Sequence, residues 1–247
     1  MSCKCSSCTK TFNPYAYMGI QHGKVLDYLA KKLPEENECM SVDEFVGRIT
    51  VLSTSWEQIT GPVSEQPTIN NRLTNPFADV LSGFAARSLS HYWSATGMDS
   101  YNAMQRKFIE QILYEIYEMP AENIGCFYSN CDNRISQTSM SNEEKNPLYM
   151  ATAIGKSSAA YWIKKTLEPG DWTDYLSGNY TIRYAKIAFQ VCASAKGTLI
   201  GAGNAESLPK IYPLDDAVNI IAIQLASVAT AGGAVVLNML PKVRLVK

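Results

Sequence analysis

The uncharged stretch Ala217–Leu240 constrains the fold of this chain more than any other feature. Its 24 residues, AVNIIAIQLASVATAGGAVVLNML, follow Asp216 and precede Lys242. Roughly 20 apolar residues are enough to cross a bilayer, so the stretch is either a membrane span or a helix of a protein core. The choice between these two interpretations decides what kind of protein this is.

Five polar residues within this stretch favour the core interpretation. They are Asn219, Gln224, Ser227, Thr230 and Asn238. On a helix they fall within an arc of about 140°, opposite the large apolar side chains. A single span surrounded by lipid offers no hydrogen-bond partners to such a stripe. We therefore expect 217–240 to be an apolar core helix, and the alternative is a membrane-inserted helix that self-associates through the stripe.

Capping signals followed by apolar residues at helical spacing divide most of the chain into helices. Asn13-Pro14 and the Ser141-to-Glu144 capping box are two such starts. The predicted helices cover about 14–33, 42–60, 76–97, 100–119, 121–138, 142–168, 182–195 and 217–240. Residues 197–213 are rich in Gly, Ala and Pro and are predicted to form a loop. The predicted fold class is all-α, a multi-helix bundle of about seven to eight helices with an apolar Ala/Gly-rich C-terminal helix.

Three small residues four positions apart mark one face of the predicted helix 142–168. They are Ala151, Gly155 and Ala159. Side chains this small let a neighbouring helix approach closely, and Trp162 is expected to cover the end of the groove. The helix begins either after the capping box at Ser141 or at Pro147, after Asn146.

The predicted elements form three parts: a cysteine-rich flexible tail at 1–12, a helical bundle body at 13–168, and an Ala/Gly-rich helical section at 171–247 packed on the body. The 247 residues are enough to bury a substantial core.

The net charge of −1 and the absence of a basic stripe argue against nucleic-acid binding.

The N-terminal cysteines are the candidate metal ligands. Cys3, Cys5 and Cys8 are close enough to share zinc or another soft metal, with Cys39 or His22 as the fourth ligand nearest in sequence. The spacing is not that of a zinc finger, so free thiols in a tail are the favoured interpretation and no cofactor is expected.

The cysteine count and the polar start bear on localisation. Seven cysteines spread over the chain do not resemble a disulfide scaffold, which favours a reducing compartment. No apolar signal segment follows Met1, so we expect a cytoplasmic protein, or one exported without a classical signal peptide.

No catalytic or cofactor-binding residue is predicted. Gly155-Lys156-Ser157 resembles the end of a P-loop, but Met150 occupies the position of the required first glycine. His22 lies on an apolar helix face, so a half-buried histidine with a hydrogen-bond partner is expected. Cys131 is expected to be a core residue.

Two segments, FNPYAYMGIQHGKVLDYL (12–29) and SNEEKNPLYMATAIGKSSAAYW (141–162), resemble a group of uncharacterised bacterial helical proteins. The resemblance implies helices and a cysteine-bearing start, but it supplies no activity.

Three classes of function remain after these exclusions. The favoured hypothesis is a non-enzymatic helical protein that acts by protein–protein contact or self-association. The second is a membrane-active, toxin- or bacteriocin-like protein that inserts 217–240. The third is an enzyme whose site is not recognisable in the sequence.

Overall fold

The structure, a computed structural model, describes residues 12–32, 100–168, 176 and 178–206. Its elements are α1 (Ala16–Lys32), α2 (Ala103–Tyr114), a 3-10 helix (Glu115–Glu118), α3 (Ala121–Ser136), α4 (Asn142–Leu167) and α5 (Tyr180–Glu206). These residues include no strand, so the part of the chain that is described is helical, as predicted. The predicted helices 42–60, 76–97 and 217–240 lie outside the described residues, and the total number of helices stays a prediction.

One glutamate joins the starts of α2 and α4. Ser141 caps α4 as predicted, and its backbone N–H donates to Glu144 Oε2 at 2.7 Å. The other oxygen of Glu144 accepts from the side-chain amide of Asn102 at 2.7 Å. The sequence predicts the N-cap of this helix at Asp99 or Ser100, but the N-cap of α2 is Asn102, two to three residues later. Both helices start with a capping box.

The apolar faces of α2 and α3 differ in part from the prediction. Apolar residues at helical spacing predict a buried stripe on this helix that includes Met104, Phe108 and Ile112. Phe108 and Ile112 are buried, but Met104, in the first turn of α2, is exposed. The polar residues of 121–138 predict a largely exposed helix. That prediction is wrong, since Tyr128 and Asp132 of α3 are buried besides its apolar residues. A buried tyrosine and a buried aspartate have partners inside the protein that a polarity pattern does not reveal.

The segment Gly197–Glu206 continues α5 and is not the predicted loop. Each glycine costs a helix about 1 kcal/mol relative to alanine, and this segment has glycines at positions 197, 201 and 203. Here Leu199 and Ala202 are buried, and tertiary burial outweighs weak local propensity. The prediction that residues 182–195 are helical rather than a strand is confirmed.

The chain divides into two compact units. Met1–Gly23 and Tyr101–Lys196 make up the first, and Lys24–Ser100 and Gly197–Lys247 make up the second. All contacts described below lie within the first unit. The three-part division made from the sequence stays a prediction.

Helix α4 is the central element of the first unit. Its predicted small-residue stripe is buried, as is Trp162. The ring of Tyr128 on α3 packs on Gly155, where an added Cβ would lie 2.6 Å from the ring. On another side, the hydroxyls of Ser158 and Ser194 lie 3.3 Å apart and join α4 to α5. The predicted close approach of a neighbouring helix is therefore confirmed.

Candidate functional site

Residues 12–23, called the N-terminal segment below, lie against α4. At Gly19 an added Cβ would be 2.6 Å from Ser157 Cβ and 2.7 Å from the Ala153 carbonyl oxygen. The Ser157 hydroxyl donates to the Gly19 carbonyl at 2.7 Å. At Gly23 an added Cβ would meet only the Tyr161 ring, at an ordinary 3.4 Å. The start of α1 thus packs on α4 backbone to backbone, which only a glycine at position 19 permits.

A single side chain, Asn13, connects the start of the segment to two other helices. Its amide nitrogen lies 2.9 Å from Asp132 Oδ1 on α3, 2.9 Å from the Tyr149 carbonyl and 3.1 Å from Thr152 Oγ1 on α4. Its side-chain oxygen accepts from the backbone N–H of Tyr15 at 2.9 Å, within the turn that precedes α1. The helix itself begins at Ala16, two residues after the predicted start at Pro14. Asn13 therefore acts as a tether just before α1.

Asp132 is the buried centre of this polar cluster. Its carboxylate is in a residue only 1% exposed and accepts hydrogen bonds from the Asn13 amide and the Thr152 hydroxyl. Among the described residues no Lys or Arg nitrogen forms an ion pair with it. Burial raises the pKa of Asp132 to about 6, although the bonds from Thr152 and Asn13 and the charge of Lys156 partly oppose this shift.

Next to this cluster, Lys156 donates to the Ser129 hydroxyl at 2.7 Å. A serine–lysine pair is used as a nucleophile and base in some hydrolases. In this pair the Ser129 hydroxyl donates to the Gly125 carbonyl at 3.1 Å, and the lysine acts as a donor. A nucleophilic serine must instead donate its proton to the base. The contact therefore ties α3 to α4 and does not activate the serine.

A second buried polar cluster lies between α5 and the 3-10 helix. Cys192 and Lys196 are one turn apart on α5, and both are buried. The Tyr117 ring is half exposed, but its hydroxyl is hydrogen-bonded to the Cys192 thiol. Burial raises the pKa of Cys192, which the Tyr117 bond and Lys196 partly offset, and lowers the pKa of Lys196 to about 8.

The structure describes some of the cysteines named in the sequence analysis and not others. The candidate metal ligands Cys3, Cys5 and Cys8 lie outside the described residues, and the prediction for them stays untested. Within the described residues, no three His, Cys, Asp or Glu side chains lie close enough together to hold a metal. Cys131 is a buried free thiol, as predicted. Cys126 is disulfide-bonded, which does not fit the reducing compartment that the cysteine spacing favours.

His22 is buried more deeply than the predicted half-buried position. It is 1% exposed, and desolvation lowers its pKa to about 4. Lys156 and its neighbours Gly155 and Ser157 lie in the middle of α4, as predicted, so they do not form the strand-to-helix turn of a P-loop.

Sequence reasoning missed Asp132 and Thr152 as partners of Asn13. Asp132 is four residues after Tyr128 and three before Ile135, so it shares the buried face of α3. A charged residue at such a position is the one signal that points to this cluster.

Comparison with known protein families finds no matching family, and no curated protein or solved structure matches the chain. None of the described helices combines the length and apolarity that crossing a bilayer requires. The stretch 217–240 lies outside those residues.

Proposed function

We propose that this protein is non-enzymatic and acts by protein–protein contact, with the outward side of the N-terminal segment as the contact surface. The observation that carries the proposal is the exposure of three large apolar side chains close together in sequence. Phe12 is 84% exposed, Ile20 63% and Tyr17 45%. Adjacent exposed apolar side chains are typical of sites that another molecule covers.

The inner contacts of the segment hold this apolar surface in place. Tyr17 and Ile20 are three residues apart and so share one side of α1. Asn13 and Gly19 bind the segment to α3 and α4 from its other side. A surface that is already ordered loses little conformational entropy when a partner binds, which favours its use in recognition.

The chemistry of the buried polar groups supports a non-enzymatic role. The Asn13–Asp132–Thr152 cluster and the Lys156–Ser129 contact join helices to one another. In each, the hydrogen bonds connect residues of different elements. The Thr152 hydroxyl donates to the Asp132 carboxylate, but both residues are buried and the same carboxylate oxygen also accepts from the Asn13 amide.

The first test is self-association, measured by sedimentation velocity over a wide range of protein concentration. Ile20→Ser removes one exposed apolar side chain, and Met104→Ser removes another from α2 as the matched control. Burying an isoleucine contributes about 1.5–3 kcal/mol, so Ile20→Ser is expected to weaken association at least about tenfold. Met104→Ser is expected to leave it unchanged, and equal effects of the two variants would contradict the proposal.

If the chain stays monomeric, the partner is a different protein. A photo-crosslinking amino acid at position 20 is then expected to give discrete adducts in the source cells, while the same group at position 104 gives none. Absence of adducts at position 20, or equal adducts at both, would refute the contact surface. Dye leakage from liposomes that disappears when 214–247 is deleted would support the membrane-active alternative instead.

A further inference from the structure

The outward side of the N-terminal segment is uncharged as well as apolar. Residues 12–23 contain no Lys, Arg, Asp or Glu. The large exposed side chains among them are those of Phe12, Tyr17 and Ile20. Proteins that recognise one another by charge place opposite charges across the contact, and this surface offers none. A partner of the surface therefore has to match it in shape and in apolar character.

A second copy of the chain brings a surface of this kind. In a two-fold pair each copy presents the same patch to the other, so the patch has to be complementary to itself. A charged patch fails this requirement, because like charges then meet across the contact and destabilise it. The exposed side chains of residues 12–23 bring no like charges together.

Ile20 lies at the centre of the outward side of α1. Successive residues of a helix are turned by about 100°, which places Tyr17 about 60° to one side of Ile20. Ala16 and Gly23 lie about 40° and 60° to its other side. Ala16 is exposed and Gly23 is half-buried, whereas Met18, on the opposite side of the helix, is buried.

The positions along α1 make this side complementary to itself about a two-fold axis. Ala16 lies about 6 Å before Ile20 along the helix, and Gly23 lies about 4.5 Å after it. An axis that passes beside Ile20 and perpendicular to α1 relates two antiparallel helices, so Ile20 meets Ile20 of the second copy. The same axis brings Ala16 of each copy beside Gly23 of the other, and two such small residues let the helices approach closely.

We propose that the protein pairs with a second copy of itself through this surface, as a two-fold dimer in which the α1 helices are antiparallel and Ile20 lies on the axis. This inference rests on the function proposed above and names its partner. Antiparallel packing also opposes the macrodipoles of the two helices, whereas parallel packing places their positive N-terminal ends side by side. Three large side chains per copy make a small interface, so we expect a dimer that dissociates at micromolar or higher concentrations.

Charges placed at position 20 test whether this residue meets its own copy. Ile20→Glu brings two carboxylates together in the dimer and Ile20→Lys two ammonium groups, so sedimentation velocity should show association at least about tenfold weaker for each variant than for the wild type. An equimolar mixture of the two variants pairs a carboxylate with an ammonium group. The mixture is therefore expected to associate about tenfold more strongly than either variant alone.

Met104 on α2 provides the matched control, because its side chain is apolar and 44% exposed. Met104→Glu and Met104→Lys are expected to keep the association of the wild type, alone and as a mixture. Ile20 is 63% exposed, so its substitutions leave the core intact, and far-ultraviolet circular dichroism checks that each variant is folded.

A photo-crosslinking amino acid at position 16 tests the direction of the helices. Copies that carry it are mixed with wild-type copies labelled with heavy isotopes, so that mass spectrometry identifies crosslinks between copies. Antiparallel helices are expected to join position 16 to residues around Gly23. Parallel helices would join it to residues around Ala16, about 10 Å away along the helix.

Three results would overturn the proposal. They are a wild type that stays monomeric at every concentration, a mixture of the charged variants that associates no better than either alone, and crosslinks from position 16 to the region of Ala16. A monomeric wild type that forms discrete adducts with another protein from position 20 would overturn this inference and leave the proposed function standing. If a charged variant does not fold, the crosslinks to wild-type copies decide.

Discussion

Gly155 offers the sharpest test of the packing described for the first unit. A Cβ at this position would lie 2.6 and 2.7 Å from two atoms of the Tyr128 ring and 2.9 Å from its hydroxyl oxygen. The ring has no free direction in which to retreat, because the Tyr128 hydroxyl donates to the Ile112 carbonyl at 3.0 Å and the residue is fully buried. Gly155→Ala therefore forces either the ring or α4 to move.

Gly125 on α3 is the matched control, since an added Cβ there meets no atom within 4 Å. Both substitutions gain about 1 kcal/mol of helix propensity. Overpacking a close-packed core costs about 1–3 kcal/mol. The difference between the unfolding free energies of the two variants cancels the shared gain, so Gly155→Ala is expected to be about 1–3 kcal/mol less stable than Gly125→Ala.

Denaturant unfolding followed by far-ultraviolet circular dichroism measures this difference, and an unchanged m-value shows that only stability has changed. Combining Gly155→Ala with Tyr128→Leu removes the clashing ring and should recover part of the loss. Equal midpoints for Gly155→Ala and Gly125→Ala would refute the close contact between Tyr128 and α4.

Two further predictions concern the helix caps and the second polar cluster. Glu144→Ala removes the acceptor of both the Asn102 side chain and the Ser141 backbone N–H, so we expect a loss of about 1–2 kcal/mol in the free energy of unfolding. Glu144→Gln retains one acceptor oxygen and should lose less stability. Equal losses in the two variants would argue that Glu144 does not cap both helices. Tyr117→Ala removes the ring whose hydroxyl binds Cys192, so the Cys192 thiol should react faster with a maleimide in the folded protein. Cys131, the other described free thiol, should stay protected, and peptide mass spectrometry reads the labelling of both. Unchanged labelling of Cys192 would show that Tyr117 does not cover it.

Local signals in the sequence predict helix starts well in this chain. Ser141 and Glu144 form their capping box because both partners lie within four residues, so no distant contact is needed. The start of α2 was predicted too early, although Asn102 and Gln105 form a capping box that is just as local. The loop predicted at 197–213 is wrong over residues 197–206 for a different reason, since the burial of Leu199 and Ala202 depends on other segments.

The candidate site was only partly predictable. Asn13 was identified as a helix cap. Its side chain does accept the Tyr15 N–H, but in the turn before α1, which begins at Ala16 rather than at Pro14. Its bonds to Asp132 and Tyr149 span more than a hundred residues, and no local pattern encodes such a pairing. The pKa shifts of Asp132 and His22 were unpredictable for the same reason, because desolvation depends on which segments cover a side chain.

The sequence by itself therefore determined the helical class, the caps and the small-residue face of α4, because propensity, capping and helical periodicity act within a few residues. Only the tertiary structure decided that Tyr128 fills the space above Gly155 and that Asn13 reaches Asp132. It also decided that the N-terminal segment presents Phe12 and Ile20 outward. These outcomes depend on the packing of helices far apart in the chain, which brings together side chains that no local rule relates.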